Sequence, residues 1–159
     1  MKRKSICGFI VVLLLILFYG NSRSDTGEIF VEIVLSPERQ EDRPVIRGSF
    51  EQIGIKRVRI QLHRLGISPK NIAIGKDIPV SVAQHAISLA LKYNDGIHFL
   101  LPEYRFFKNQ IAIGSSAFDE QSQIPVSQDA LQKLIDPALT TKQFHTLYRH
   151  LTGEDVRFR

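Results

Sequence analysis

The stretch Lys70–Ser81 reads KNIAIGKDIPVS, and Lys108–Ser127 reads KNQIAIGSSAFDEQSQIPVS. Each copy holds a short Ile/Ala run ending in Gly, then Ile-Pro-Val-Ser, then a helical pattern. Between the two halves of the motif the linker grows from two residues, Lys76 and Asp77, to nine, Ser115–Gln123. A β-branched run closed by glycine and followed by a helix start reads as a strand–loop–helix unit. The repeat predicts two related units in one domain, with Ile72, Ile74, Ile111 and Ile113 buried in central strands.

Working outward, Ser81 with Gln84, Ser127, and Thr140 with Gln143 read as helix N-caps. Ala83, Ala86, Ile87, Ala90 and Leu91 form the stripe of the first of these helices. Leu131, Leu134 and Ile135 mark the second. Phe144, Leu147, Tyr148 and Leu151 mark the third at i, i+3, i+4, i+7. Ile97–Leu101 is a near-continuous apolar strand, a sign of cover on both faces. Tyr104–Phe107 and Gln110–Gly114 flank Lys108-Asn109, which predicts a hairpin. Upstream, Glu28–Ser36 alternates and reads as a strand, whereas Pro37–Pro44 carries five charges and two prolines and reads as a surface loop. Residues 49–65 fit two patterns. Val58, Ile60 and Leu62 alternate as in a strand, but Ile55, Val58, Leu62 and Leu65 form a helical stripe. Ser49 with Gln52 supplies a capping box for that stripe and Gly66 a stop, so a helix is expected. The resulting order, β, α, β, α, β, β, α, α, predicts an α/β or α+β fold. Its four- to five-stranded mixed sheet has helices packed mainly on one face and is preceded by an N-terminal hydrophobic helix.

That leading segment begins MKRK and continues through Ile6–Tyr19, fourteen residues without a charge. Cations before an apolar run make residues 1–24 a signal peptide or a membrane anchor. The run is shorter than the ~20 residues that cross a bilayer comfortably. Gly20 with Ser22, or Ser22 with Ser24, would suit cleavage, and both fates stay open. Either places residues 25–159 outside the cytoplasmic membrane as a single domain, tethered as a single-pass protein or secreted. Four of the 21 Lys and Arg lie in the leader and none of the 16 acids does, so the exported part is close to neutral. That removes the compositional argument for nucleic-acid binding. The one cysteine, Cys7, lies in the apolar run. The domain therefore has no disulfide, thiolate ligand or thiol nucleophile, and no metal or cofactor is expected.

Two sites are expected. If the two IAIG strands run parallel, their loops meet at one end of the sheet, where open α/β sheets form crevices. This gathers Lys76, Asp77, Ser115, Ser116, Phe118 and Asp119. On a helix, Lys56, Arg59 and His63 would share a basic face suited to anionic headgroups or an acidic partner. His145 and His150 are five apart, unlike the i, i+4 pair of a metal site. The expected function is a membrane-anchored or secreted cell-envelope accessory or interaction domain without catalysis. Its partner would be an envelope protein or the membrane surface. The alternative is a small hydrolase using the Ser115–Glu120 loop with His145 or His150.

Overall fold

Val31, Ile33 and Leu35 are buried and alternate with half-buried Phe30, Glu32 and Val34, so Phe30–Leu35 forms strand β1 with one face inward. The structure is a computed structural model that describes residues 29–64, 66–94, 96–103, 108–116 and 124–154. After β1, Pro37–Asp42 makes a 3₁₀ turn that runs into helix α1, Arg43–Gln52. The expected surface loop Pro37–Pro44 is thus helical throughout, though its 3₁₀ part buries no residue. Pro44 sits in the first turn of α1, where its missing N–H leaves nothing unbonded. Ile46 and Phe50, one turn apart, bury the inner face of the helix.

Strand β2 is Arg57–Leu62, parallel to β1 and paired with it over its whole length. The helix expected over residues 49–65 is corrected here. Its first part belongs to α1, and the remainder takes the alternating pattern, with Val58 and Ile60 buried and Arg57 and Arg59 exposed. Both patterns were present in the side chains. The open edge of β1 decided between them by offering backbone partners that a second helix would have left unbonded.

The repeat forms β3, Asn71–Ile74, and β5, Gln110–Ile113. Helix α2 is Val80–Tyr93, β4 Phe99–Leu100, β6 Ile124–Pro125, α3 Gln128–Leu134 and α4 Thr141–Leu151. The protein is therefore α/β, with four helices and a six-stranded mixed sheet in the order β2-β1-β5-β3-β4-β6. The sheet is larger than expected because β2 and the short edge strand β6 both join it. The two repeat strands are central neighbours and run antiparallel, with Ile72 opposite Ile113, Ala73 opposite Ala112 and Ile74 opposite Ile111. All four Ile side chains are buried, in one cluster with Ile46 and Phe50 of α1, Ile87 of α2, Leu131 of α3, and Phe144 and Tyr148 of α4. Ala73, Ala112 and Leu101 form a separate small buried cluster, as alternation along the strands requires.

Two local expectations change. Helix α2 starts at Val80 with Pro79 at its N-cap position, so Ser81 lies inside the first turn and caps nothing. Strand β5 has β1 on one side and β3 on the other, so neither edge is open to the expected hairpin partner; Tyr104–Phe107 themselves lie outside the described residues. By contrast, Ser127 caps α3 by accepting from Ala130 N at 3.2 Å. Thr140 and Gln143 form a complete capping box at the start of α4.

Candidate functional site

Because β3 and β5 are antiparallel, the two repeat loops leave opposite ends of the sheet. Lys76 and Asp77 follow β3 and sit beside the start of β5, where Asp77 N donates to Lys108 O at 3.1 Å. Ser115 and Ser116 follow β5 at the far end, next to the start of β3 and the close of β1. The six residues expected to share one crevice are therefore divided. Phe118 and Asp119 lie outside the described residues.

The Ser115 end is a closed polar staple. Asn71 Nδ2 donates to Ser115 O at 3.0 Å, and Ser115 N donates to Asn71 Oδ1 at 2.9 Å, so one side-chain amide continues the ladder at the start of β3. Next to it, Ser68 N donates to Ser36 Oγ at 2.9 Å and Ser68 Oγ to Asn94 Oδ1 at 2.7 Å, while Asn94 Nδ2 donates to Pro69 O at 3.2 Å. Ser36, Ser68, Asn71 and Asn94 are all buried. A small apolar cavity opens beneath them, lined by Leu35, Ile46, Leu89, Tyr93, Asn94 and Ile113 among others. Its polar lining group, Asn94, has both amide atoms engaged, so the cavity offers little for ligand recognition.

At the opposite end, α4 is clamped by His145. Its Nδ1 lies 2.8 Å from Glu103 Oε1 and its Nε2 lies 2.7 Å from Ile78 O. Both ring nitrogens face acceptors, which a doubly protonated ring satisfies as donor at both. Burial opposes the charge, but the hydrogen bonds to Glu103 and Ile78 and the Glu103 charge outweigh it, so the imidazole pKa is raised above its ordinary value. One helical turn on, Tyr148 OH reaches Leu101 O at 2.7 Å and Ile72 O at 3.1 Å. Burial raises the phenol pKa well above its ordinary value. His145 is thus tied down at the end of the sheet away from Ser115, and His150 is exposed on α4. The structure does not bring Ser115 and His145 together.

A different serine meets a histidine. Ser49 Oγ on α1 lies 3.0 Å from His85 Nε2 on α2. Burial lowers the His85 pKa, partly opposed by the hydrogen bond with Ser49. Phe50 packs edge-on against the ring, with centroids 5.3 Å apart. Among the described residues no carboxylate ion-pairs with this imidazole. Ser49 sits mid-helix, where backbone N–H groups are already bonded and cannot form an oxyanion site. The pair pins α1 to α2.

The remaining feature is the β2 edge. His63 N donates to Leu35 O at 2.7 Å, so odd-numbered β2 residues turn their backbone groups toward β1 and even-numbered ones turn theirs outward. Two of those outward carbonyls are capped from α1. Arg43 Nη2 donates to Ile60 O at 2.9 Å and Arg47 Nη1 to Val58 O at 2.9 Å. Four helix residues advance ~6 Å and two strand residues ~6.6 Å, so arginines at i and i+4 match alternate carbonyls. On the other side of the same strand, Arg57 lies over the Phe30 ring at 5.5 Å. Arg59 is 62% exposed and approaches Glu32 at 3.7 Å, a carboxylate that also accepts from Gln61 at 2.9 Å.

The predicted basic face Lys56, Arg59 and His63 is therefore corrected from a helix face to an edge strand. Arg59 and His63 share the side that carries Arg57, and exposed Lys56 precedes the strand. Residues 43–64 hold six Lys and Arg against Glu51 alone. The exposed large aliphatics among the described residues, Val45, Ile53 and Ile67, lie in or beside this segment. Sequence reading missed the arginine clamps because it placed Arg43 in a loop and Arg47 outside any element; their i, i+4 spacing is the signal that was present.

Among the described residues no group of three or more His, Cys, Asp and Glu could hold a metal, and no helix is long and apolar enough to cross a membrane. The apolar run Ile6–Tyr19 lies outside those residues. Comparison with protein-family models, with curated proteins and with solved structures found no match to this chain.

Proposed function

We propose that this protein is a cell-envelope accessory domain, membrane-anchored or secreted, that acts by binding and not by catalysis. The observation that carries this reading is the concentration of charge on one rigid edge. Six cations within residues 43–64 surround β2, while the rest of the domain carries an acidic excess. Lys2, Arg3 and Lys4 before the apolar run support export of everything that follows.

Two imidazoles and one hydroxyl that hydrolysis could use, those of His145, His85 and Ser49, are engaged in holding elements together. His145 joins α4 to Glu103 and Ile78, Asn71 fixes the Ser115 backbone, and Ser49 joins α1 to His85. A hydrolytic reading finds its best geometry at Ser49 and His85, not at Ser115. The test is a screen of ester, phosphoester and peptide substrates on the full chain, with Ser49→Ala and Ser115→Ala beside it. No turnover is expected. Turnover abolished by either substitution, with unchanged melting, would overturn the binding reading.

A further inference from the structure

We infer that the β2 edge docks on an anionic bilayer surface, with Arg43, Arg47, Lys56, Arg57, Arg59 and Arg64 toward the headgroups; this rests on the reading of the leader as a membrane tether.

Three observations select a lipid surface over a strand-adding peptide. The first is how the edge is blocked. A peptide adding a strand to β2 would bond the outward carbonyls of Val58 and Ile60, and Arg47 and Arg43 already occupy both. The edge offers positive charge with two of its outward carbonyls already taken.

The second is the state of those charges. The guanidinium groups of Arg43 and Arg47 reach neutral carbonyls, so each is held in place with its charge uncancelled by that contact. Arg59 has a partial counter-charge in Glu32, but the pair is long, exposed and readily exchanged for a phosphate. Lys56 and Arg64 are exposed at the two ends of the strand. Cations thus flank the edge on both faces and at both ends, the footprint expected for docking on a uniformly anionic surface.

The third is where the tether arrives. Strand β1 starts at Phe30, in register with Arg57 of β2. Residues 20–28 separate Tyr19, the end of the apolar run, from Ile29. Fully extended, that connection spans roughly 35 Å. A leader retained in the bilayer would hold the domain within one domain diameter of the headgroups and enter it beside the basic edge. Attraction then acts within one molecule, where a modest affinity suffices for docking.

The test uses the full chain in lipid nanodiscs, either all phosphatidylcholine or about one third phosphatidylglycerol. Amide exchange is followed in residues 53–64, with β5 as the internal control for folding. Protection of residues 53–64 is expected on the anionic discs alone and should be lost at high salt. Replacing Lys56, Arg57, Arg59 and Arg64 with Gln should reduce it by roughly fivefold for each cation removed, with β5 exchange unchanged. Arg43 and Arg47 stay in place so that the edge remains closed.

Protein that stays in both discs with equal exchange would overturn the docking and leave the tether standing. Protein that washes from neutral discs yet binds anionic ones would remove the tether and keep the docking. Protection that appears with polyglutamate and not with anionic lipid would overturn the lipid assignment in favour of an acidic protein.

Discussion

At Gly114 the chain takes φ +69°, and a Cβ there would stand 2.5 Å from Val34 O on the neighbouring strand. Glycine is required twice over, by backbone conformation and by space. Gly114→Ala should cost about 2–3 kcal/mol of stability, read from chemical denaturation. A loss below ~0.5 kcal/mol would mean that β1 and β5 separate easily at this point. The Glu103–His145 pair makes a prediction with a sign. The folded imidazole has a raised pKa, so its stabilisation is complete below about 6.5 and is lost as pH rises through the folded value. The groups around the ring are Glu103 and Ile78 O, which favour the charge, and Arg149, which opposes it. Urea midpoints should fall between about pH 6 and pH 9 for the wild type and vary less for Glu103→Gln. That variant should also lose about 2 kcal/mol at the lower pH. Parallel pH profiles for the two proteins would show that the pair does not titrate in this range.

Among the elements, β2 is the one whose environment is most specific. It is a six-residue edge strand, long enough to recruit another sheet, and edges of this kind are managed by charge or cover. Helix α1 supplies both through Arg43 and Arg47. The double variant Arg43→Ala, Arg47→Ala should keep its core, because Ile46 and Phe50 carry the packing of α1. It should, however, self-associate through the freed carbonyls. Sedimentation velocity would show a concentration-dependent dimer or larger species absent from the wild type. A variant that stays monomeric at all concentrations would show that the clamps are dispensable for protecting the edge.

For the whole molecule the governing quantity is the separation of charge. A domain close to neutral in total gathers six of its 17 Lys and Arg around one sheet edge and carries an acidic excess in the rest of its sequence. Such an uneven charge distribution orients the molecule in a field more than it raises overall affinity. The proposed envelope location is tested by fusing an export-dependent reporter after Arg159. The reporter should be active in a bacterial host and should lose that activity when Ile6–Tyr19 are deleted. An inactive fusion of the intact chain would place the domain inside the cell and remove the basis for membrane docking.

Much of this protein was legible because it is local. The IAIG runs are strands, Ser127 and Thr140 start helices, and Phe144 and Tyr148 face inward, since periodicity and capping act within a few residues. The repeat also identified the centre of the sheet, because its four Ile residues have to be buried together. The relative direction of the two repeat strands was not legible. A short apolar strand buries the same residues whether its neighbour runs parallel or antiparallel, and that choice sent Lys76 and Ser115 to opposite ends. Nor could residues 57–62 declare themselves a strand, since their apolar positions satisfy both periods. A helix bonds its own backbone, whereas a strand needs a partner from elsewhere in the chain. The free edge of β1 supplied that partner for β2, and only the tertiary structure contains it.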